Sequence, residues 1–304
     1  MPRTMTKALL QTSSRVDTDF ASLQQRLRER WLAVDEFDGE ERHILVVPSL
    51  SLDQEELQKI EGVHYYEERL LCSLIRLRNP NTHLVYVTSH PVHPSIVDYY
   101  LELLPGIPSS HARSRLQLFS AYDSSRKPLT QKLLERPRLL AKIRRAMNTD
   151  QGYMTCFNTT HLERELSLAL DLPLLALDPD LLHWGTKGGS REIFRRCGIP
   201  HPIGSELVFT EYDLAAAIAD VWEQDPPLQR LVVKLNQGFS GEGNALLDLR
   251  TLHSLAPGRA SSQDRIRGIL LALNRLSFQC PTETWEHFLG KVHTLGAIAE
   301  AFIE

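Results

Sequence analysis

No apolar stretch of the chain approaches the roughly 20 residues a membrane-spanning helix needs. Residues 1–20 are polar, without the apolar centre of a secretory leader. Cysteine is sparse: Cys72, Cys156, Cys197 and Cys280 lie far apart with no C-x-x-C pair, so neither a zinc ribbon nor a dithiol redox motif is indicated. A reducing, cytoplasmic setting is expected, with Cys72 and Cys156 as small buried hydrophobes inside apolar runs. Charge of one sign is also lacking. Lys and Arg number 34 against 38 Asp and Glu, a formal net charge of −4, which favours neither nucleic acid nor a membrane surface as partner. The arginines between Arg126 and Arg145 alternate with leucines at helical spacing and read as a solvated face. Pro48-Ser-Leu-Ser-Leu-Asp53 contains no glycine, so the first strand is not followed by the G-x-G-x-x-G turn of dinucleotide binding.

What is present suffices for about two domains: 304 residues, 42% of them hydrophobic. Residues 1–16 read as a frayed tail, and Phe20, Leu23, Leu27, Trp31 and Leu32 mark a helix. Apolar runs at His43–Val47, His83–Thr88, Leu116–Ala121, Tyr153–Phe157 and Leu174–Leu177 predict five strands. Helical patterns separate them at Glu67–Leu77, Ile96–Leu104, Leu129–Met147 and Leu162–Leu170. Strands alternating with helices imply a mainly parallel sheet with helices on both faces. Ligands of such sheets sit at the carboxyl ends of strands, so Ser49, Ser51, Ser89, His90 and Asn158 become candidate lining residues, each of them otherwise a turn or cap residue. His90 and His93 both precede prolines and read as turn histidines, not metal ligands.

The texture changes near Asp178. Helices are expected over Arg191–Cys197, closed by Gly198-Ile-Pro-His-Pro202, and over Tyr212–Trp222, Arg265–Leu276 and Thr282–Val292, the last capped by Thr282. Leu295–Ile303 reads as a closing strand whose edge stays unpaired unless another chain or segment covers it. Between them lies Val232-Val-Lys-Leu-Asn-Gln-Gly-Phe-Ser-Gly-Glu-Gly-Asn-Ala-Leu-Leu-Asp-Leu249, read as strand, glycine-rich loop, strand. Glycines Gly238, Gly241 and Gly243 let backbone N–H groups turn around an anion, and Lys234 supplies a point charge at the strand end. No Gly-Lys-Ser/Thr follows, so the loop is not a Walker A loop. An ordinary glycine-rich hairpin with a solvated lysine has the same spacing.

Taken together, Lys187, the helix after Ser190, Gly198-Ile-Pro-His-Pro202, Val232-Val-Lys234, Gly238–Gly243 and Ala297-Ile-Ala-Glu-Ala-Phe-Ile-Glu304 resemble the ordered parts of an ATP-grasp ligase. The wording of Asn236–Asn244, with Val47–Ser51, Tyr65–Glu68 and Thr88–Pro94, is similar to the peptide-ligase branch and its preceding α/β domain. The resemblance implies a tail and helix over 1–40, a Rossmann-like α/β pre-ATP-grasp domain with a mainly parallel sheet over 41–180, and the amino-terminal part of an α+β ATP-grasp fold over 181–304. It implies that Lys187 and Lys234 contact the nucleotide phosphates, Lys234 also lying near the adenine. Gly238, Phe239, Ser240, Gly241, Gly243 and Asn244 belong to a loop closing over the phosphates. Glu300, Ala301, Phe302 and Ile303 form a hinge at the adenine edge, with Glu304 near the ribose. The implied partners are ATP, Mg²⁺ and small carboxylate and amine or peptide substrates joined through an acyl phosphate, with the homodimer common in the family. The family's metal ligands lie beyond the hinge, past residue 304, so the chain resembles an incomplete module. It is then either a ligase that needs a further part or a non-catalytic nucleotide-binding or regulatory module.

Overall fold

A computed structural model of the chain describes residues 19–31, 39–51, 62–238 and 243–303. Backbone contacts divide it into two compact units, Met1–Pro179 and Asp180–Glu304.

In the first unit, helix α1 spans 19–31. Strand β1 (Arg42–Val47) leads to a 3₁₀ helix, Val63–Arg78, and then to β2 (Thr82–Thr88). Helices α2 (Pro94–Glu102) and α3 (Ser109–Ser114) precede β3 (Leu116–Ser120). Helices α4 (Leu129–Leu134) and α5 (Pro137–Ala146) precede β4 (Gly152–Cys156), and α6 (His161–Leu170) closes the unit. The four strands form one parallel sheet in the order β3-β2-β1-β4. Side chains alternate across a strand, so a sheet covered on both faces needs unbroken apolar runs. Accordingly Leu45, Val47, Val85, Val87 and Met154 pack with Phe20, Leu133, Ile143 and Leu166. Ile44, Val46, Leu84, Tyr86 and Tyr153 pack on the other face with Leu71, Leu74, Leu77, Val97 and Leu101.

Several expectations are corrected here. Leu129–Met147 is not one helix. Pro137 lacks an N–H and would clash with a preceding carbonyl, so the chain breaks and restarts with the proline in the first turn of α5. Leu174–Leu177 is not a strand: Leu174 alone makes a bridge, to Met154, and Leu177 is exposed. The run has no β-branched residue, and Pro179 follows. Cys72 is exposed on the 3₁₀ helix rather than buried. Trp31 is exposed too, whereas Phe20, Leu23 and Leu27 are buried as their spacing predicts. The tail of 1–16 lies outside the described residues, as does Leu32.

The second unit begins with a short turn, Leu182–Gly185, and α7 (Lys187–Arg196). It continues through α8 (Glu211–Gln224), β5 (Arg230–Leu235), β6 (Asn244–Asp248), α9 (Ser262–Ala272), β7 (Ser277–Phe278), α10 (Trp285–Leu295) and β8 (Ala297–Ala301). The sheet is antiparallel, ordered β7-β6-β5-β8. The fold is thus mixed α/β, one parallel and one antiparallel sheet. No helix among the described residues is long and apolar enough to cross a membrane.

Period-two alternation sorts the second sheet. Leu231, Val233, Leu235, Ala245, Leu247, Ala297 and Ala299 bury against Leu214, Ile218 and Trp222 of α8, Ile269 of α9 and Phe288 and Val292 of α10. The opposite face carries Val232, Lys234, Asn244, Leu246, Ile298 and Glu300. One expectation fails, and the condition set on the last strand's edge is met. Thr284, not Thr282, caps α10, its hydroxyl accepting from His287 N, while Glu283 turns to Lys291 and His287. The outer edge of β8 is not open. Residues 203–208 lie along it, with Val208 N to Ala297 O, Ala297 N to Val208 O, Ser205 N to Ala299 O and Ala301 N to Ile203 O, each 2.8–2.9 Å.

Candidate functional site

The polar face of the second sheet gathers the predicted lysines. Lys234 is paired in register with Asn244 on one side and Ile298 on the other, while Glu300 pairs with Val232. Lys234 and Glu300 are therefore diagonal neighbours on one face, and the Lys234 ammonium donates to Glu300 Oε2. Arg191 Nη1 donates to the other carboxylate oxygen at 2.6 Å and to Pro202 O at 2.9 Å. Burial by itself would raise the Glu300 carboxyl, but the hydrogen bonds from Lys234 and Arg191 outweigh it and hold the group below the usual carboxylate range.

Lys187 opens α7, which is capped by Thr186, whose hydroxyl accepts from Gly189 N at 3.1 Å. Asn236, at the end of β5, fixes this helix to the sheet. Its carbonyl accepts Lys187 N at 3.2 Å, its side-chain Oδ1 accepts Gly188 N at 2.9 Å, and its own N–H donates to Gly296 O at 2.9 Å. Arg191 stands one helical turn after Lys187, so both reach the same face. Burial and the neighbouring Lys234 charge push the Lys187 ammonium down from its ordinary value, with Glu300 opposing. Among the described residues Lys187 makes no ion pair. A half-buried lysine without a carboxylate partner is suited to an anionic ligand.

The glycines let the backbone come close. A Cβ on Gly238 would stand 3.2 Å from Lys187 Nζ and 3.3 Å from Gly243 Cα, and one on Gly243 would stand 3.1 Å from Leu235 Cβ. The two glycines thus let the backbone at the base of the loop close up beside the Lys187 ammonium, where a side chain would be crowded. Phe239, Ser240 and Gly241, with Glu242, lie outside the described residues, as does Glu304. At the expected hinge, Ala301 N and Phe302 N are already engaged by Ile203 O at 2.8 Å and Arg230 O at 3.2 Å. The Arg230 guanidinium stacks over the Phe302 ring, and Ile303 is exposed. No three His, Cys, Asp or Glu side chains that could hold a metal ion gather among the described residues, so no magnesium site is assigned to them.

Sequence reasoning missed Arg191 and the joint role of Asn236. The Lys187–Arg191 spacing of four was the available signal for the first. A buried Asn between a strand and a glycine loop was a weak signal for the second.

The strand-end candidates of the first unit serve the fold. Ser49, Ser51 and Ser89 are buried. Glu163 accepts from Ser51 Oγ, from Thr130 Oγ1 at 2.6 Å and from Thr160 N at 2.8 Å, and Ser49 Oγ accepts Thr130 N at 3.0 Å. Ser89 lies between the Glu67 carboxylate, 2.6 Å from its hydroxyl, and Lys132 Nζ at 2.8 Å. Asn158 ties the ends of β1 and β4 through both backbone groups of Ser51. Thr160 caps α6. His93 caps α2 by accepting Ser95 N, and His90 meets His64 edge-on.

Comparisons with known proteins agree with this geometry. A family of IQCH-like ATP-grasp domains matches residues 180–268. The chain is 24% identical over 335 aligned residues to the IQ motif-containing protein H of Danio rerio, covering 97% of this chain and 31% of that protein. It is 30% identical over 202 residues to the L-propargylglycine–L-glutamate ligase of Streptantibioticus cattleyicolor, covering 63% of this chain and 42% of that protein. The chain thus spans less than half the length of either relative. The family match, which begins where the second unit begins, and the ligase relative support membership of the ATP-grasp superfamily.

Proposed function

We propose that the second unit grips the polyphosphate of ATP between Lys187, Lys234 and the loop from Gly238 to Asn244, and that the protein serves ATP-dependent ligation of a carboxylate to an amine in the cytoplasm. Lys187 carries this reading: it is half-buried, it lacks an ion-pair partner among the described residues, and it stands beside the glycines at the base of the loop. In the proposed reaction a substrate carboxylate oxygen attacks the γ-phosphorus and ADP leaves. The amine nitrogen then attacks the acyl carbon, and phosphate leaves with the carbonyl–oxygen bond broken. Such transfer needs positioning and charge neutralisation rather than a protein nucleophile. Lys187 and Lys234 supply the positive charge, and Arg191 and Glu300 hold Lys234 in register. We place the adenine edge against Glu300–Ile303. The Ala301 and Phe302 N–H groups of that segment are engaged by Ile203 O and Arg230 O.

Calorimetric titration of ATP, with and without Mg²⁺, tests the grip. Binding by the wild type that is lost in Lys187→Ala and weakened in Lys234→Ala supports it. Absence of binding by the folded wild type sinks it. A second reading, nucleotide binding without turnover, follows from the relative matched over 97% of the chain, whose description names an IQ motif and no reaction. ATP binding with no Mg²⁺-dependent ADP release in the presence of the full-length protein favours that second reading.

A further inference from the structure

The first unit carries a basin that the nucleotide reading does not use. It opens at the amino ends of the strands, where β1 begins at Arg42, β2 begins at Thr82 and β4 presents Tyr153, beside the end of the 3₁₀ helix Val63–Arg78. Its volume is about 590 Å³, within the usual range for small-molecule sites. Ligands of parallel sheets usually sit at the opposite, carboxyl ends, and there the buried polar groups are already bonded to one another.

Arg76 and Arg78 line the basin on a chain of formal net charge −4, and Arg42 stands between it and an adjoining recess lined by Glu40 and Glu41. Guanidinium groups stay charged and offer forked donors that match phosphate and carboxylate oxygens. Ile44, Ile75 and Ile107 give it an apolar floor. The rim is braced from behind. Arg115 donates to the carbonyls of Leu77, Asn79 and Thr82 at 2.7, 2.8 and 2.7 Å, fixing the turn that carries Arg76 and Arg78. Tyr153 accepts from Arg76 Nη1 at 2.5 Å, which orients that guanidinium and leaves the phenol proton to donate. Burial pushes the Tyr153 hydroxyl up from its ordinary value, so it remains protonated at neutral pH.

We infer that this basin binds a small polyanion, a molecule with at least two phosphate or carboxylate groups on a compact apolar body. We assign two anionic groups because Arg76 and Arg78 bring two separate guanidinium forks to the lining, each matched to the oxygens of one phosphate or carboxylate.

The test uses the full chain carrying Lys187→Ala and Lys234→Ala, so that anion binding in the second unit does not contribute. Inorganic pyrophosphate and citrate are titrated while isoleucine methyl resonances are followed by NMR. Ile44, Ile75 and Ile107 should shift saturably with one or both probes, the productive probe identifying a phosphate or a carboxylate ligand, while Ile269 in the second unit should not move. Arg76→Glu and Arg78→Glu, both on exposed side chains, should each weaken the response about tenfold or more. Arg145→Glu, an exposed charge on α5, should leave it unchanged. Failure of both probes to shift the three isoleucines at millimolar concentration overturns the proposal. So does equal weakening by Arg145→Glu, which would reduce the effect to overall charge.

Discussion

Lys234 and Glu300 stand two residues out of register on neighbouring antiparallel strands, and their side chains meet on the face of that sheet opposite α8, α9 and α10. The carboxylate is shared with Arg191 of α7, so a strand, its neighbour and a helix converge on one acid. An acid that neutralises the lysine also holds it in one place, which a solvated lysine on a hairpin would not achieve.

Replacing that acid is expected to destabilise the unit. Glu300→Gln leaves two cations facing a neutral amide, and loss of one partner from a largely buried pair costs roughly 1–3 kcal/mol once the partial exposure of Lys234 is discounted. Chemical denaturation gives the number, and an unchanged midpoint would show the pair to be incidental.

The same carboxylate gives stability a pH dependence. Its value in the folded chain lies below the ordinary 4.5, so the unfolded chain binds more protons in that range. The stabilisation is present above pH 4.5 and is lost as pH falls through the folded value. Denaturation midpoints measured from neutral pH downward should therefore fall more steeply in the wild type than in Glu300→Gln. Parallel curves would contradict the assignment.

Two glycines should respond to alanine with opposite signs. Gly189 lies in the first turn of α7, where an added Cβ would collide with the His183 carbonyl and lie 3.0 Å from Trp184 Cα. Gly189→Ala should displace the start of the helix, lower stability by about 2 kcal/mol or more, and weaken ATP binding through Lys187. Gly290 lies within α10 with nothing near its Cβ position, so Gly290→Ala should stabilise by roughly 0.5–1 kcal/mol. Thermal unfolding of the pair decides it.

Glu163 is fully buried and receives Ser51, Thr130 and Thr160. Glu163→Leu strands three donors without an acceptor and should cost about 2–4 kcal/mol, whereas Thr160→Ala, which removes the cap alone, should cost about 1 kcal/mol. Equal losses in the two variants would mean that the cap, and not the network, is what Glu163 supports.

The cysteines should label in a fixed order. Burial pushes the Cys156 thiol up to about 12, while Cys72 and Cys197 are exposed. Alkylation followed by mass spectrometry at neutral pH should modify Cys72 and Cys197 well before Cys156. Early labelling of Cys156 would show that β4 opens readily.

Much of the fold was legible in the sequence. The apolar runs of β1, β2 and β4 cannot face water on either side, so they required a parallel sheet covered on both faces. The alternation in Arg230–Leu235 and Asn244–Asp248 required a sheet covered on one. Lys234 at the end of a strand beside a glycine loop was legible as a local pattern, whereas Lys187, at the start of a helix, entered only through the family resemblance. Where local signals compete, the pattern misled. Leucine spacing runs through Pro137 but the backbone cannot, and Thr282 and Thr284 are equally good caps until the helix has chosen its start.

Composition and period thus determined by themselves the kind of layers, the strand that ends on Lys234 and the want of a dinucleotide turn. Tertiary structure alone decided that Glu300 neutralises Lys234, that Arg191 shares that acid, that residues 203–208 cover the edge of β8, and that Arg76 and Arg78 meet Tyr153 at one basin. Sequence order records what each residue can do, whereas register and packing set which residues come within a hydrogen bond of one another.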